Sequence, residues 1–208
     1  MGNEPNMVTI AVNGGIGFGA KLNSKQLIAL SKYIEEDQEI ELTTFQQLYL
    51  QVPEEKVEIV KEEFYNVGLS CYPVGKFVKS LRTCNFCKGA EIEGMPVAEE
   101  LNRRIAGIEV PFTLKTAYTG CPVGCGEPLV NDIGIMKRGD YYDLYIGGKA
   151  KGLKAKTGTL FRSRLNPEEL YRSVESLIEI YQKNGKKRED FTRFIDRFGI
   201  ETLDKLIG

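Results

Sequence analysis

Two stretches, T-C-N-F-C-K-G-A-E-I-E-G at 83–94 and T-G-C-P-V-G-C-G-E-P at 119–128, decide how this chain reads. Four of its five cysteines fall there, Cys84 and Cys87 as C-x2-C and Cys121 and Cys125 as C-x3-C. Each pair lies in a turn rich in Gly or Pro, so two remote loops can present four thiolates to one centre. That donor set suits an iron–sulfur cluster, a tetrahedral zinc ion or unliganded redox thiols. The three-residue spacer and the G-C-P start of the second pair fit a cubane cluster better than a zinc knuckle. Cys71, alone in L-S-C-Y-P, reads as a small buried hydrophobe.

The rest of the composition narrows the chemistry around those thiols. The chain has no histidine, which removes His-based acid–base catalysis, His-ligated haem and mixed Cys/His metal sites. A formal net charge of −1 gives no support to nucleic-acid binding. No apolar run reaches the ~20 residues of a membrane span. The start M-G-N-E-P-N has neither a basic segment nor a hydrophobic signal core, so a cytoplasmic location is expected, and there thiols serve as ligands rather than disulfides.

Outward from the cysteines, the pattern is α+β. Met7–Val12 is a β-branched run feeding the glycine-rich N-G-G-I-G-F-G, whose Gly15 and Gly17 permit close backbone approach to a bulky or anionic group. Asn23 and Gln26 form a capping box for a helix running to about Glu36. Strands follow at 40–42 and 48–52, and Pro53 opens a helix carrying Val57, Val60 and Phe64. A further strand is expected at 77–83. The order β-α-β-β-α-β suggests a ferredoxin-like half. After the first cysteine pair, Pro96 starts a helix with Val97, Leu101 and Ile105 on one side. Strands are then expected at 112–119, 132–136 and 141–146, a rhythm that hints at an internal repeat. Asn166-Pro167-Glu168-Glu169 is a strong helix start. The tail carries apolar stripes through Leu170–Tyr181 and Phe191–Leu203. The expected organisation is a ferredoxin-like subdomain at 1–80, a cluster-binding α/β subdomain at 81–165 and a helical tail at 166–208.

Cations accompany the proposed strand ends: Lys79, Arg82, Lys88, Lys115, Lys149, Lys151, Lys154 and Lys156. Converging on a pocket, they would suit a polycarboxylate cofactor or a small oxyanion.

The chain resembles the nitrite/sulfite reductase family, whose members couple sirohaem to a [4Fe–4S] cluster. L-T-T-F-Q-Q at 42–47 is similar to the family's L-T-T-R-Q, and T-G-C-P-V-G-C-G-E-P-L-V-N-D-I-G at 119–134 to its second cysteine motif. Y-I-G-G-K at 145–149 and R-E-D-F-T-R-F-I-D-R-F-G at 188–199 extend the likeness over the whole chain, as in a small single-copy member. The resemblance implies that Cys84, Cys87, Cys121 and Cys125 ligate [4Fe–4S], with Cys125 bridging to sirohaem. It implies that Lys79 and Lys115 bind sulfite or nitrite or assist proton delivery. Arg82, Lys149, Lys151 and the Gly14–Gly19 loop, with its Gly15 and Gly17, would contact cofactor carboxylates, and Arg82 is a further candidate for the oxyanion. An external donor, such as ferredoxin or a reductase subunit, would supply electrons. The departures are specific. The first pair is C-x2-C where the family has C-x5-C, Phe45 replaces an arginine, Lys79 replaces another, and Thr113 and Val123 replace a lysine and an asparagine. Loss of two cations weakens an oxyanion site. A [4Fe–4S] electron carrier without sirohaem, and a zinc-stabilised binding module, are the alternative readings.

Overall fold

The computed structural model describes residues 5–16, 21–35, 38–84, 87 and 93–208. The chain divides into two compact units, Met1–Val74 and Gly75–Gly208.

The first unit contains β1 (Met7–Asn13), α1 (Ser24–Ser31), β2 (Glu41–Leu42), β3 (Leu48–Pro53), α2 (Val57–Asn66) and β4 (Ser70–Pro73). Its four-stranded sheet has the order β2-β3-β1-β4 with every pairing antiparallel. This is the ferredoxin-like βαββαβ arrangement. Ile10 stands opposite Leu50, and Val12 opposite Leu48. Period-two alternation thus sends Ile10, Val12, Leu50 and Val52 into one core with Leu30, Val60 and Phe64. The Asn23–Gln26 capping box forms as expected, but α1 stops at Ser31, short of Glu36. Pro53 closes β3 instead of opening a helix; a 3-10 turn over Glu54–Lys56 intervenes before α2. Strand β4, unanticipated, is a short edge strand ending in proline, where the missing N–H costs no ladder bond. It carries Cys71, half-buried, whose thiol burial pushes up to about 11, in keeping with an apolar role.

The second unit contains β5 (Arg82–Thr83), α3 (Met95–Ile105), β6 (Thr116–Thr119), β7 (Ile133–Arg138), β8 (Tyr141–Ile146), β9 (Thr159–Leu165), α4 (Pro167–Asn184), α5 (Phe191–Phe198) and α6 (Ile200–Ile207). Its sheet runs β5-β6-β7-β8-β9, parallel from β5 to β7 and antiparallel beyond. It is therefore not a second copy of the antiparallel ferredoxin-like sheet, and among the described residues the expected repeat does not appear. The expected strand at 77–83 shrinks to β5. Asn102 of α3 accepts the Leu81 N–H at 2.8 Å and draws that segment out of the ladder, leaving Val78 with a single bridge to Leu114. Regular pairing of the 112–119 segment likewise begins only at Thr116, because the Thr113 hydroxyl donates to the Gly75 carbonyl. Helix α3 buries Met95, Ala98, Leu101 and Ile105, so Ala98 takes the place expected for Val97. Helix α4 lies against β8 and β9, and its Asn166 cap is a complete capping box. Gly199, at φ +90°, ends α5 and begins α6.

Candidate functional site

Both cysteine turns leave the same edge of the sheet. Strand β5 pairs with β6 in parallel register, Arg82 with Ala117 and Thr83 with Tyr118. Cys84 and Gly120 thus continue from the carboxyl ends of neighbouring strands, the edge where open α/β sheets place their ligands. The Cys84 N–H donates to the Tyr118 carbonyl at 3.3 Å. Arg82, before the first turn, is ion-paired at 2.8 Å to Glu127, just after the second. Gly126 makes this approach possible. A Cβ there would fall inside contact distance of the Tyr118 carbonyl oxygen and 2.9 Å from its carbon.

The four thiols are free but not alike: Cys84 is buried, Cys121 half-buried, and Cys87 and Cys125 exposed. The Cys84 sulfur lies 3.1 Å from the Thr119 hydroxyl and 3.4 Å from the Gly120 nitrogen, whose N–H it accepts. The same hydroxyl donates to the Cys121 carbonyl at 3.2 Å. The structure therefore couples Cys84 to the Cys121 turn. Among the described residues, no three His, Cys, Asp or Glu side chains converge into a metal cage. The donor chemistry still fits a thiolate-bound centre: four free cysteines in two sequence pairs, with Cys84 set against the turn that carries Cys121.

Arg82 apart, the expected cations have other surroundings. Lys79 and Lys115 are neighbours, since the Lys79 N–H donates to the Leu114 carbonyl at 2.9 Å, but both precede their strands whereas the cysteines follow them. At about 3.3 Å per residue, β6 separates the two ends by roughly 13 Å. Lys149 is held by Asp190 at 3.0 Å, and Lys151 is exposed in the following loop. In the first unit, the Gly15 N–H donates to the Asn13 side chain and Gly15 adopts φ +103°. Gly17 and Lys88 lie outside the described residues. Phe45 is buried and Val123 exposed, and neither side chain carries a polar group.

Asp132 was not foreseen as a site residue, although it stands in the D-I-G motif. Its carboxylate accepts the Lys115 N–H at 2.8 Å, and its carbonyl accepts the Gly147 N–H at 2.8 Å. Asp132 thereby ties together the ends of β6, β7 and β8. Burial pushes its carboxyl up to about 7, against the pull of the Lys115 N–H and the Lys115 and Lys149 charges. Folding therefore favours its protonated form. Its contribution is full below the ordinary value of 3.8 and is lost as pH rises through about 7. Asp132→Asn keeps an acceptor but never ionises. Urea midpoints should show the variant gaining on the parent protein as pH rises from 3.8 to about 7; parallel pH profiles would remove Asp132 as the titrating group.

Parallel strand ends that carry two pairs of free cysteines offer thiol donors at one edge of a sheet. The chain belongs to the family described as the nitrite and sulphite reductase 4Fe-4S domain, which matches residues 77–208. A cobalt-factor III methyltransferase of Priestia megaterium is 30% identical over 188 residues, covering 90% of this chain but only 34% of that protein. The chain thus spans about a third of that relative's length. An assimilatory-type sulfite reductase of Nitratidesulfovibrio vulgaris is 24% identical over 170 residues, covering 81% of this chain and 78% of that one. The crystal structure of dissimilatory sulfite reductase I shares the fold, with a TM-score of 0.76 at 14% identity, over 97% of this chain and 69% of the other. The mixed α+β fold with a helical C-terminal segment is thereby shared with solved structures. Among the described residues no helix is long and apolar enough to cross a membrane.

Proposed function

We propose that the chain is an oxidoreductase of the nitrite/sulfite reductase type that holds a [4Fe–4S] cluster through Cys84, Cys87, Cys121 and Cys125 and reduces a small oxyanion, sulfite or nitrite, with sirohaem. The observation that carries this reading is the apposition of the two cysteine turns at the carboxyl ends of β5 and β6. When bound, the cluster supplies one-electron transfer and sirohaem an iron at which an oxyanion is reduced. The chain's own part is placement and charge. Gly126 lets the turns meet, and Arg82 braces them through Glu127. Lys79 and Lys115 are the cations assigned to the oxyanion and to proton delivery through water. Lys149, Lys151, Arg82, Gly15 and Gly17 are assigned to cofactor carboxylates, and electrons come from an external protein donor such as a ferredoxin.

A second reading, a [4Fe–4S] electron carrier without sirohaem, has support of its own. Arg82 and Lys149 are each ion-paired within the chain, and Phe45 and Thr113 stand where the family resemblance expects cations. One relative, moreover, is named a methyltransferase and not a reductase. Anaerobic reconstitution with iron, sulfide and sirohaem, followed by absorption spectroscopy, tests both. Tetrapyrrole bands retained after gel filtration, together with five irons per chain, four of the cluster and one of sirohaem, support the reductase. Four irons without tetrapyrrole support the carrier, and a colourless zinc protein defeats both.

A further inference from the structure

Thr119 holds a place that no cysteine-ligand assignment uses. Its side chain is buried, and its hydroxyl oxygen lies 3.1 Å from the Cys84 sulfur and 3.2 Å from the Cys121 carbonyl oxygen. A threonine hydroxyl has one proton and two lone pairs, so it can donate to only one of these neighbours at a time. While Cys84 is a thiol, the chain of donors is complete: Sγ–H to the Thr119 oxygen, and Thr119 O–H to the Cys121 carbonyl. A thiolate has no proton to give. With iron in place of its proton, Cys84 would no longer donate to the oxygen, and its sulfur would be the stronger, charged acceptor. Rotation about one side-chain bond then turns the O–H towards sulfur. The Gly120 N–H already points there at 3.4 Å.

We infer that Thr119 is a two-position hydrogen-bond switch that recognises the ligating thiolate of Cys84 and sets the reduction potential of a cluster bound there. The inference rests on the proposed [4Fe–4S] reading. Thr119 is a positioning residue: it binds no metal and acts through Cys84. A hydrogen bond to a ligand sulfur favours the cluster state with more negative charge, which is the reduced one. Cys84 is the thiol on which this matters most, because it alone of the four is buried from water.

The experiment is an electron-paramagnetic-resonance redox titration of the reconstituted full chain beside Thr119→Val, Thr119→Ala and Thr119→Ser. Valine keeps the shape and removes the hydroxyl, alanine allows for a valine chain that will not fold, and serine restores the donor. Loss of the hydroxyl should lower the reduced-to-oxidised ratio at fixed potential about tenfold, equivalent to about 59 mV more negative for a one-electron couple. Serine should return it to the parent value. In the unmutated protein, transfer to D2O should shift the iron–cysteinyl-sulfur stretching bands by resonance Raman, and Thr119→Ala should reduce that shift. A normal cluster with the same potential in all four chains would overturn the role of Thr119 and leave the cluster assignment standing. A parent chain that forms no four-iron cluster would overturn both.

Discussion

Gly126→Ala is expected to abolish cofactor loading and to lower the melting temperature of the chain. The added methyl has nowhere to go: its carbon would overlap the Tyr118 carbonyl oxygen, and the Cys84 nitrogen lies 3.4 Å away. These are backbone atoms of β6 and of the first cysteine turn, so no side-chain rotation relieves the clash. One of the two turns must back away, and the parallel pairing that brings Cys84 beside Thr119 opens with it. Overpacking against fixed backbone costs about 3 kcal/mol. For a chain of this size that corresponds to roughly 6–12 °C in melting temperature. Iron content after anaerobic reconstitution and a thermal melt of the metal-free protein measure the two effects separately. Parent-like iron content would mean that the turns do not need this contact to share a centre.

Phe194→Ala should be the costliest single truncation in the helical tail. The Phe194 ring is fully buried, with its centroid 5.1 Å from that of Tyr181, 5.9 Å from Phe191 and 5.0 Å from Phe198. Removing it deletes the centre of an aromatic cluster and leaves a cavity that its neighbours cannot fill, a loss of about 3–5 kcal/mol. Phe194→Leu, which keeps most of the volume, should cost less than half of that. The effect should also travel. Asp190 caps α5 through the Arg193 N–H and holds Lys149, so loosening α5 frees that lysine from its carboxylate. Urea unfolding of both variants measures the first effect. Equal losses for leucine and alanine would place the energy elsewhere than in packing.

Much of this architecture was legible because local chemistry and tertiary packing agree. The Asn23–Gln26 and Asn166–Glu169 capping boxes are short-range signals that no distant contact contradicts, and both form. The β-branched run Met7–Val12 and the alternation through Leu48–Val52 predict the two central strands of the first sheet, and both are found. The failures are as physical. The 77–83 segment has strand character, but Asn102, a residue of α3, captures the Leu81 N–H. Strand β9 is an edge strand with mostly exposed or half-buried residues, so T-L-F-R-S-R-L lacked a full apolar stripe. At the site, thiol spacing pointed to the cysteines, and the structure sets Cys84 beside the Cys121 turn. Spacing could not reveal that Lys79 and Lys115 sit at the far ends of those strands, because the direction of a strand relative to its neighbour is not written in the residues. The need for glycine at 126 was equally hidden, since the atom it avoids belongs to Tyr118.

The parallel pairing of β5 with β6 also governs the freedom of the unfolded chain. The antiparallel β7–β8 pair closes through a tight turn at Gly139 and Asp140, whereas Arg82 reaches Ala117 only across the loop that contains α3. Any centre gripping both Cys84 and Cys121 is therefore a cross-link spanning that loop. In the chain-entropy picture, closing a loop of this length restricts the unfolded ensemble by about 4 kcal/mol. The cysteine edge is the costliest seam of the sheet to close without a ligand, and the one that gains most from being tied.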